Sequence, residues 1–285
     1  METSMATEVD ERIEQHYLLE KGLAQRILTT SRENRLRVTL EAYNELFSSI
    51  PWHPQLHNSE ERERKRLAEK SMFFEYLLGP GVDILDIGAG TAYWTRYLAS
   101  KSAGRCVGVD ISKEVLIRQP EDPPNLELYI MDAVELGFPA NSFDIVFSSQ
   151  LIEHLHPDDV EFHFASVNRV LRENGVYAFD TPSRLNGPHD VSKHFEDVAT
   201  GFHLKEWTFR ELASHLKKAG FRKIRTMILP WNLVKRLSFP RSLGTVPINL
   251  LIPGERLAES IKHRQVRTAL CKLFRVACIC IVAQK

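Results

Sequence analysis

From Val82 onward, short apolar runs alternate with stretches whose apolar residues recur at helical spacing. The compact runs predict strands at Asp83–Ile87, Arg105–Asp110, Leu126–Met131, Phe143–Ser148 and Val176–Asp180. The stretches between them predict helices over Ala92–Ser100, Lys113–Arg118 and Val160–Leu171, with a short one near Leu151. Strands and helices in that order predict a mostly parallel sheet with helices on both faces. After Asp180 come a histidine-rich loop, an amphipathic helix over Phe209–Gly220 and a strand over Ile224–Leu229. An apolar, basic, proline-broken stretch from Pro230 to Ser260 follows, and Val276–Ala283 reads as a last strand.

The chain before Val82 reads as helical. Asp10 is placed to cap a helix carrying Ile13, Tyr17, Leu19, Leu23 and Ile27. Thr30 and Glu33 fit a capping box for a second helix with the stripe Leu36, Leu40, Tyr43 and Phe47. Prolines make Pro51–His57 a loop, and Asn58 opens a third helix whose mixed charges from Glu60 to Lys70 read as a solvated face. These patterns predict an N-terminal helical extension over 1–70 and a main domain over 71–285, with substrate-facing insertions at about 182–207 and 230–262. The first helical stripe needs a partner, either the sheet edge or a second subunit, so a homo-oligomer is one of two expected arrangements.

Composition narrows the partners. The 285 residues balance 37 basic against 37 acidic side chains, which makes no electrostatic case for nucleic acid. Three of the four cysteines (Cys106, Cys271, Cys278 and Cys280) crowd into apolar surroundings near the end without a C-x-x-C pair, as expected of a reduced setting. The acidic first residues lack the form of a signal peptide, and no apolar run approaches the roughly 20 residues that span a bilayer. The expectation is a soluble, cytoplasmic protein without a membrane partner.

The stretch "LDIGAGTAYW" raises the question of a ligand, because glycines at a strand-to-helix turn let backbone approach one. A dinucleotide fingerprint needs a third glycine where Tyr93 stands, three residues after Gly90. Asp110 ends the second strand, where a carboxylate can accept from both ribose hydroxyls, and Ile111 can pack flat on an adenine. Asp132 ends the third strand and suits an adenine amino group, with the Ala133 amide beside it. Together with Asp86 and Asp180, these acids mark one edge of the sheet.

With those motifs the chain resembles the class I S-adenosylmethionine-dependent methyltransferases with small-molecule substrates, over about Phe73–Phe221 and less closely to the end. The resemblance implies a Rossmann-like, seven-stranded, mostly parallel α/β sheet, with "VACICIVA" as an antiparallel last strand inserted beside the sixth. It implies S-adenosylmethionine as cofactor and S-adenosylhomocysteine as product. Asp86, Gly88, Gly90, Thr91, Asp110, Ile111, Asp132, Ala133 and Gln150 are then the cofactor-binding residues. Ala92 stands where the family usually has a third glycine.

Methyl transfer is an in-line displacement with a good leaving group, so the protein must chiefly align the acceptor and exclude water. A hydroxyl acceptor, on a secondary metabolite or glycan, also needs a base. The loop "GPHDVSKHFEDVATGFHLKEW" supplies His189, His194 and His203; His189, with Asp190 to orient it, is the first candidate and His203 the second. Glu153 and His154 resemble part of the metal-supporting E-x-x-E-H pattern of ubiquinone-pathway O-methyltransferases, but Gln150 replaces its first acid. No metal site is therefore expected, and Glu153 and His154 are read as cap and packing residues. The alternatives are an N- or C-methyltransferase of a small molecule, a nicotinamide oxidoreductase and a non-catalytic cofactor-binding partner protein.

Overall fold

The computed structural model describes residues 2–53, 56, 59–102, 104–112, 119–229, 233, 236–237 and 244–285, with side chains from residue 11 onward. Helices α1 (Glu2–Leu28), α2 (Arg32–Ser49) and α3 (Glu60–Phe74) precede the sheet. Then come β1 (Ile84–Ile87), α4 (Tyr93–Lys101), β2 (Cys106–Asp110), β3 (Leu126–Ile130) and β4 (Phe143–Ser149). Helix α5 (Val160–Val170) runs directly into β5 (Leu171–Pro182), followed by α6 (Phe209–Lys218) and β6 (Lys223–Met227). The chain closes through β7 (Thr245–Pro247), α7 (Ile252–Glu259), α8 (Arg264–Leu273) and β8 (Cys278–Gln284).

The sheet order is β3-β2-β1-β4-β5-β8-β6-β7. The first five strands pair in parallel, and β8 enters antiparallel between β5 and β6. The one departure from the expected sheet is its size: it has eight strands rather than seven. The extra strand, β7, pairs antiparallel with β6 through only three residues, too short to leave a period in the sequence.

The central strands are buried on both faces, so they read as continuous apolar runs. One face packs Phe164, Val167, Leu212 and Leu216 from α5 and α6; the other packs Trp94 and Leu98 of α4 and Phe74 of α3. Helix α3 runs through residue 70, and its end is buried in that second cluster. Helix α6 begins on a complete capping box: Thr208 accepts from the Glu211 amide, and Glu211 accepts in return from the Thr208 amide.

At the N-terminus several local expectations change. Asp10 lies inside α1 rather than ahead of it. Thr30 donates its hydroxyl to the Arg26 carbonyl at the end of α1, and the N-cap of α2 is Ser31, with no side-chain cap bond. The buried stripe of α2 is Val38, Ala42 and Leu46, while Leu36 is exposed and Tyr43 and Phe47 only flank the core. Asn58 is outside the described residues, and Ser59 caps α3 by accepting from the Arg62 amide. The expected helix over Lys113–Arg118 is likewise outside the described residues. Tyr17, Leu23 and Ile27 are buried within this chain, with the cluster of α1 and α2 closed by Phe202 and Leu204. Among the described residues no helix is long and apolar enough to cross a membrane.

Candidate active site

The carboxyl ends of β1, β2 and β3 lie side by side, where open α/β sheets place their ligands. Gly88 (φ 72°) and Gly90 (φ 55°) turn the chain from β1 toward α4 in left-handed conformations that suit glycine. Ala92, at the N-cap of α4, shares that region at φ 57°. Asp110 stitches the turn together: its Oδ2 accepts from the Gly90 amide at 2.9 Å and its Oδ1 from the Ser112 amide at 3.0 Å.

A cleft lies over these strand ends. Gly88, Asp110, Ile111, Asp132 and Ala133 form its floor, and Arg35, Leu36, Thr39 and Tyr43 of α2 form its roof. Leu151 and His154 close it beyond β4. The roof is held by charge: Arg35 donates to Asp159 at 2.6 Å and to Asp158 at 3.3 Å, and Arg32 lies 3.5 Å above the Phe162 ring. Burial pushes the Asp132 carboxyl above its ordinary value.

The Ala133 end of the floor is fixed from within. His163 Nδ1–H donates to the Ala133 carbonyl at 2.7 Å, leaving Nε2 to accept from the Tyr177 hydroxyl at 2.9 Å. Burial lowers His163 to about 4, so the ring is neutral and supplies the one donor and one acceptor these contacts need.

The other expected cofactor residues surround the cleft without lining it. Buried Asp86 accepts from the Thr95 hydroxyl at 2.6 Å, and burial raises its carboxyl to about 6. Thr91 donates to Glu63 of α3 at 2.9 Å. The Gln150 side-chain amide donates to Asp180 at 2.6 Å. Gly90 contributes through its bond to Asp110.

The loop after β5 forms a polar wall centred on Glu206, which the sequence pattern did not single out. Glu206 Oε1 accepts from the His189 amide at 2.7 Å and from His203 Nδ1 at 2.9 Å; His189 Nδ1 lies 3.2 Å from the same oxygen. Gly187 makes room for this carboxylate, since a Cβ there would collide with it. Burial favours the neutral acid, but bonds from both histidines outweigh it and hold Glu206 at about 2. Asp190 does not orient His189. It accepts from the amides of Ser192, Gly201 and His203 and so shapes the loop.

His203 also meets the ring of cleft-lining His154 edge-on, with centroids 5.1 Å apart. Donor atoms of Glu153, His154 and His203 all lie within 4.8 Å of one another. Glu153 is fully buried, with Oε2 bonded to Thr181 at 2.8 Å and Oε1 without a partner. Burial raises its carboxyl to about 7 and lowers His154 to about 4. For His203, burial opposes the charged form, but Glu206, Glu153 and Asp190 prevail and raise its pKa above the ordinary 6.5. The His189 side chain is 31% exposed.

Parallel strands carrying acids toward their carboxyl ends, a left-handed glycine turn and a cleft roofed by α2 thus meet at one edge of the sheet. Residues 85–179 match the methyltransferase domain family. A probable S-adenosylmethionine-dependent methyltransferase of Mycolicibacterium smegmatis is 31% identical over 141 residues, 50% of this chain and 52% of that protein. The cyclopropane-fatty-acyl-phospholipid synthase of Escherichia coli is 30% identical over 128 residues, 44% of this chain and 31% of that one. A solved S-adenosylmethionine-dependent methyltransferase from Archaeoglobus fulgidus superposes with a TM-score of 0.52 at 17% identity, covering 78% of this chain and 94% of that chain. The chain spans about half the length of the first curated relatives it matches. Residues 85–179 thus form a methyltransferase domain, on the fold shared with S-adenosylmethionine-dependent methyltransferases.

Proposed function

We propose that this protein transfers the methyl group of S-adenosylmethionine to a hydroxyl of a small-molecule acceptor, with a histidine held by Glu206 as general base. In this reading Asp110 holds the ribose, and Asp132 and Ala133 hold the adenine between the sheet edge and the roof of α2. The observation that carries the O-methylation reading is the pair of imidazoles clasped by one buried carboxylate beside the cleft. With Nδ1–H donated to Glu206, each ring keeps Nε2 as a lone pair able to take a hydroxyl proton.

In the transfer, the acceptor oxygen attacks the methyl carbon as the sulfonium–carbon bond breaks. The hydroxyl proton passes to Nε2, and Glu206 steadies the imidazolium that forms. On this geometry His203 is favoured over His189, because its ring meets that of cleft-lining His154. The test is the single-turnover methyl-transfer rate in His203→Ala and His189→Ala. The acceptor is first identified by mass spectrometry of extract incubated with deuterated-methyl cofactor. A fall of roughly 10²–10⁴ in one variant with cofactor affinity retained supports the base. Full rates in both would remove the loop from the chemistry.

A further inference from the structure

Away from the cleft, a second group of ligand-type side chains lies between the N-terminal helices. His16 and Glu20 are four residues apart on α1 and therefore share a face. His53 comes from the turn after α2, where its amide donates to the Ile50 carbonyl. His16 Nε2 lies 2.8 Å and His53 Nε2 3.5 Å from the same oxygen, Glu20 Oε1. The two imidazoles meet edge-on with centroids 4.9 Å apart, and Glu20 and His53 are buried.

We propose that His16, Glu20 and His53 form a binding site for a divalent transition-metal ion of the zinc type. Two imidazole nitrogens and one carboxylate oxygen make a donor set that such ions prefer, with a fourth position left for water. Metal–ligand bonds of about 2.0–2.1 Å set tetrahedral ligands roughly 3.3–3.4 Å apart. The observed spacings of 2.8 and 3.5 Å bracket that value, and all three donor atoms lie within 4.8 Å of one another. The remaining carboxylate oxygen, Oε2, accepts from the Phe202 amide at 3.1 Å, which fixes the carboxylate's orientation as outer-shell bonds do in metal sites.

An ion held by Glu20 would join α1 and the turn at His53 to Phe202, the residue before His203. It would stiffen the polar wall without entering the cleft.

The whole protein is stripped with a chelator and titrated with Zn²⁺ while its melting temperature is followed. Co²⁺ is then used as a spectroscopic probe. The expected result is a rise in melting temperature that saturates at one equivalent, with the visible absorption of tetrahedral Co²⁺. His16→Ala and Glu20→Gln should weaken the ion at least tenfold; binding of S-adenosylhomocysteine by each variant reports that it has folded. No thermal response to Zn²⁺ in the wild-type protein overturns the proposal. An undiminished response in folded His16→Ala and Glu20→Gln also overturns it, because the ion would then be held elsewhere.

Discussion

At the residue scale, the Asp110 carboxylate joins the glycine turn to the second strand, and its loss has two consequences. Asp110→Ala removes the proposed ribose contact and frees the Gly90 amide. Charge-assisted bonds are each worth about 1.5–3 kcal/mol, so S-adenosylhomocysteine should bind roughly 10- to 100-fold more weakly. Unchanged affinity by calorimetry in a folded variant would take Asp110 out of the site. Ala92 is a second case. The sequence suggested a good helix starter, yet the residue sits at a left-handed φ. Non-glycine residues there cost roughly 1–2 kcal/mol, and glycine's extra freedom in the unfolded chain costs about 0.4–1 kcal/mol. Ala92→Gly should therefore stabilise the protein by about 0.5–1 kcal/mol in chemical denaturation, and a loss of stability would contradict the strain assigned to it.

Glu206 is the residue with the sharpest kinetic signature. It raises the His203 pKa, so the base is free only above that value and the transfer rate should climb with pH through it. In Glu206→Gln the imidazolium loses its anionic partner. The apparent pKa of the rate should fall, with a lower plateau. A profile that keeps its midpoint would show that Glu206 does not act on the base. Asp110 and Asp132 were legible because each closes an apolar run. Glu206 was not: it lies 17 residues from His189, ahead of a helix cap, and only folding brings the two together.

At the element scale, α2 is a roof over the cleft and α1 is tied to the polar wall. Tyr17 donates to Glu196 at 2.7 Å and stacks on Phe195, and Glu20 accepts from the Phe202 amide. Deleting residues 1–28 should thus lower methyl-transfer activity by about tenfold or more. The denaturation midpoint of the sheet core should change less. Normal turnover in the truncated protein would mean that α1 does not support the site. The helices themselves were legible from their spacing, but the face of α2 that seals the core was not. Leu36 and Tyr43 look like core residues and instead face the cleft. Helix α8 went unread although Val266, Ala269, Leu270 and Leu273 recur at helical spacing.

At the scale of the whole molecule, the same carboxylates govern stability against pH. Glu20 and Glu206 have folded pKa values of about 2, below their ordinary 4.5. Their stabilisation is complete above 4.5 and is lost as pH falls toward 2. His203 is raised, so its contribution is complete below 6.5 and fades as pH rises through its folded value. The difference between the wild-type protein and Glu206→Gln in urea unfolding against pH isolates the Glu206 part of this dependence. A decline toward acid that is no shallower in Glu206→Gln than in the wild-type protein would contradict the assignment.

The central claim is that the cleft between the acid-ended strands and α2 holds S-adenosylmethionine. The most direct measurement is calorimetric titration of the wild-type protein and Asp110→Ala with S-adenosylhomocysteine and, separately, with NAD. One equivalent of S-adenosylhomocysteine bound by the wild-type protein, weakened roughly 10- to 100-fold in the variant, with no heat from NAD, is the predicted result. Binding of NAD in place of S-adenosylhomocysteine, or binding that Asp110→Ala leaves untouched, would contradict it.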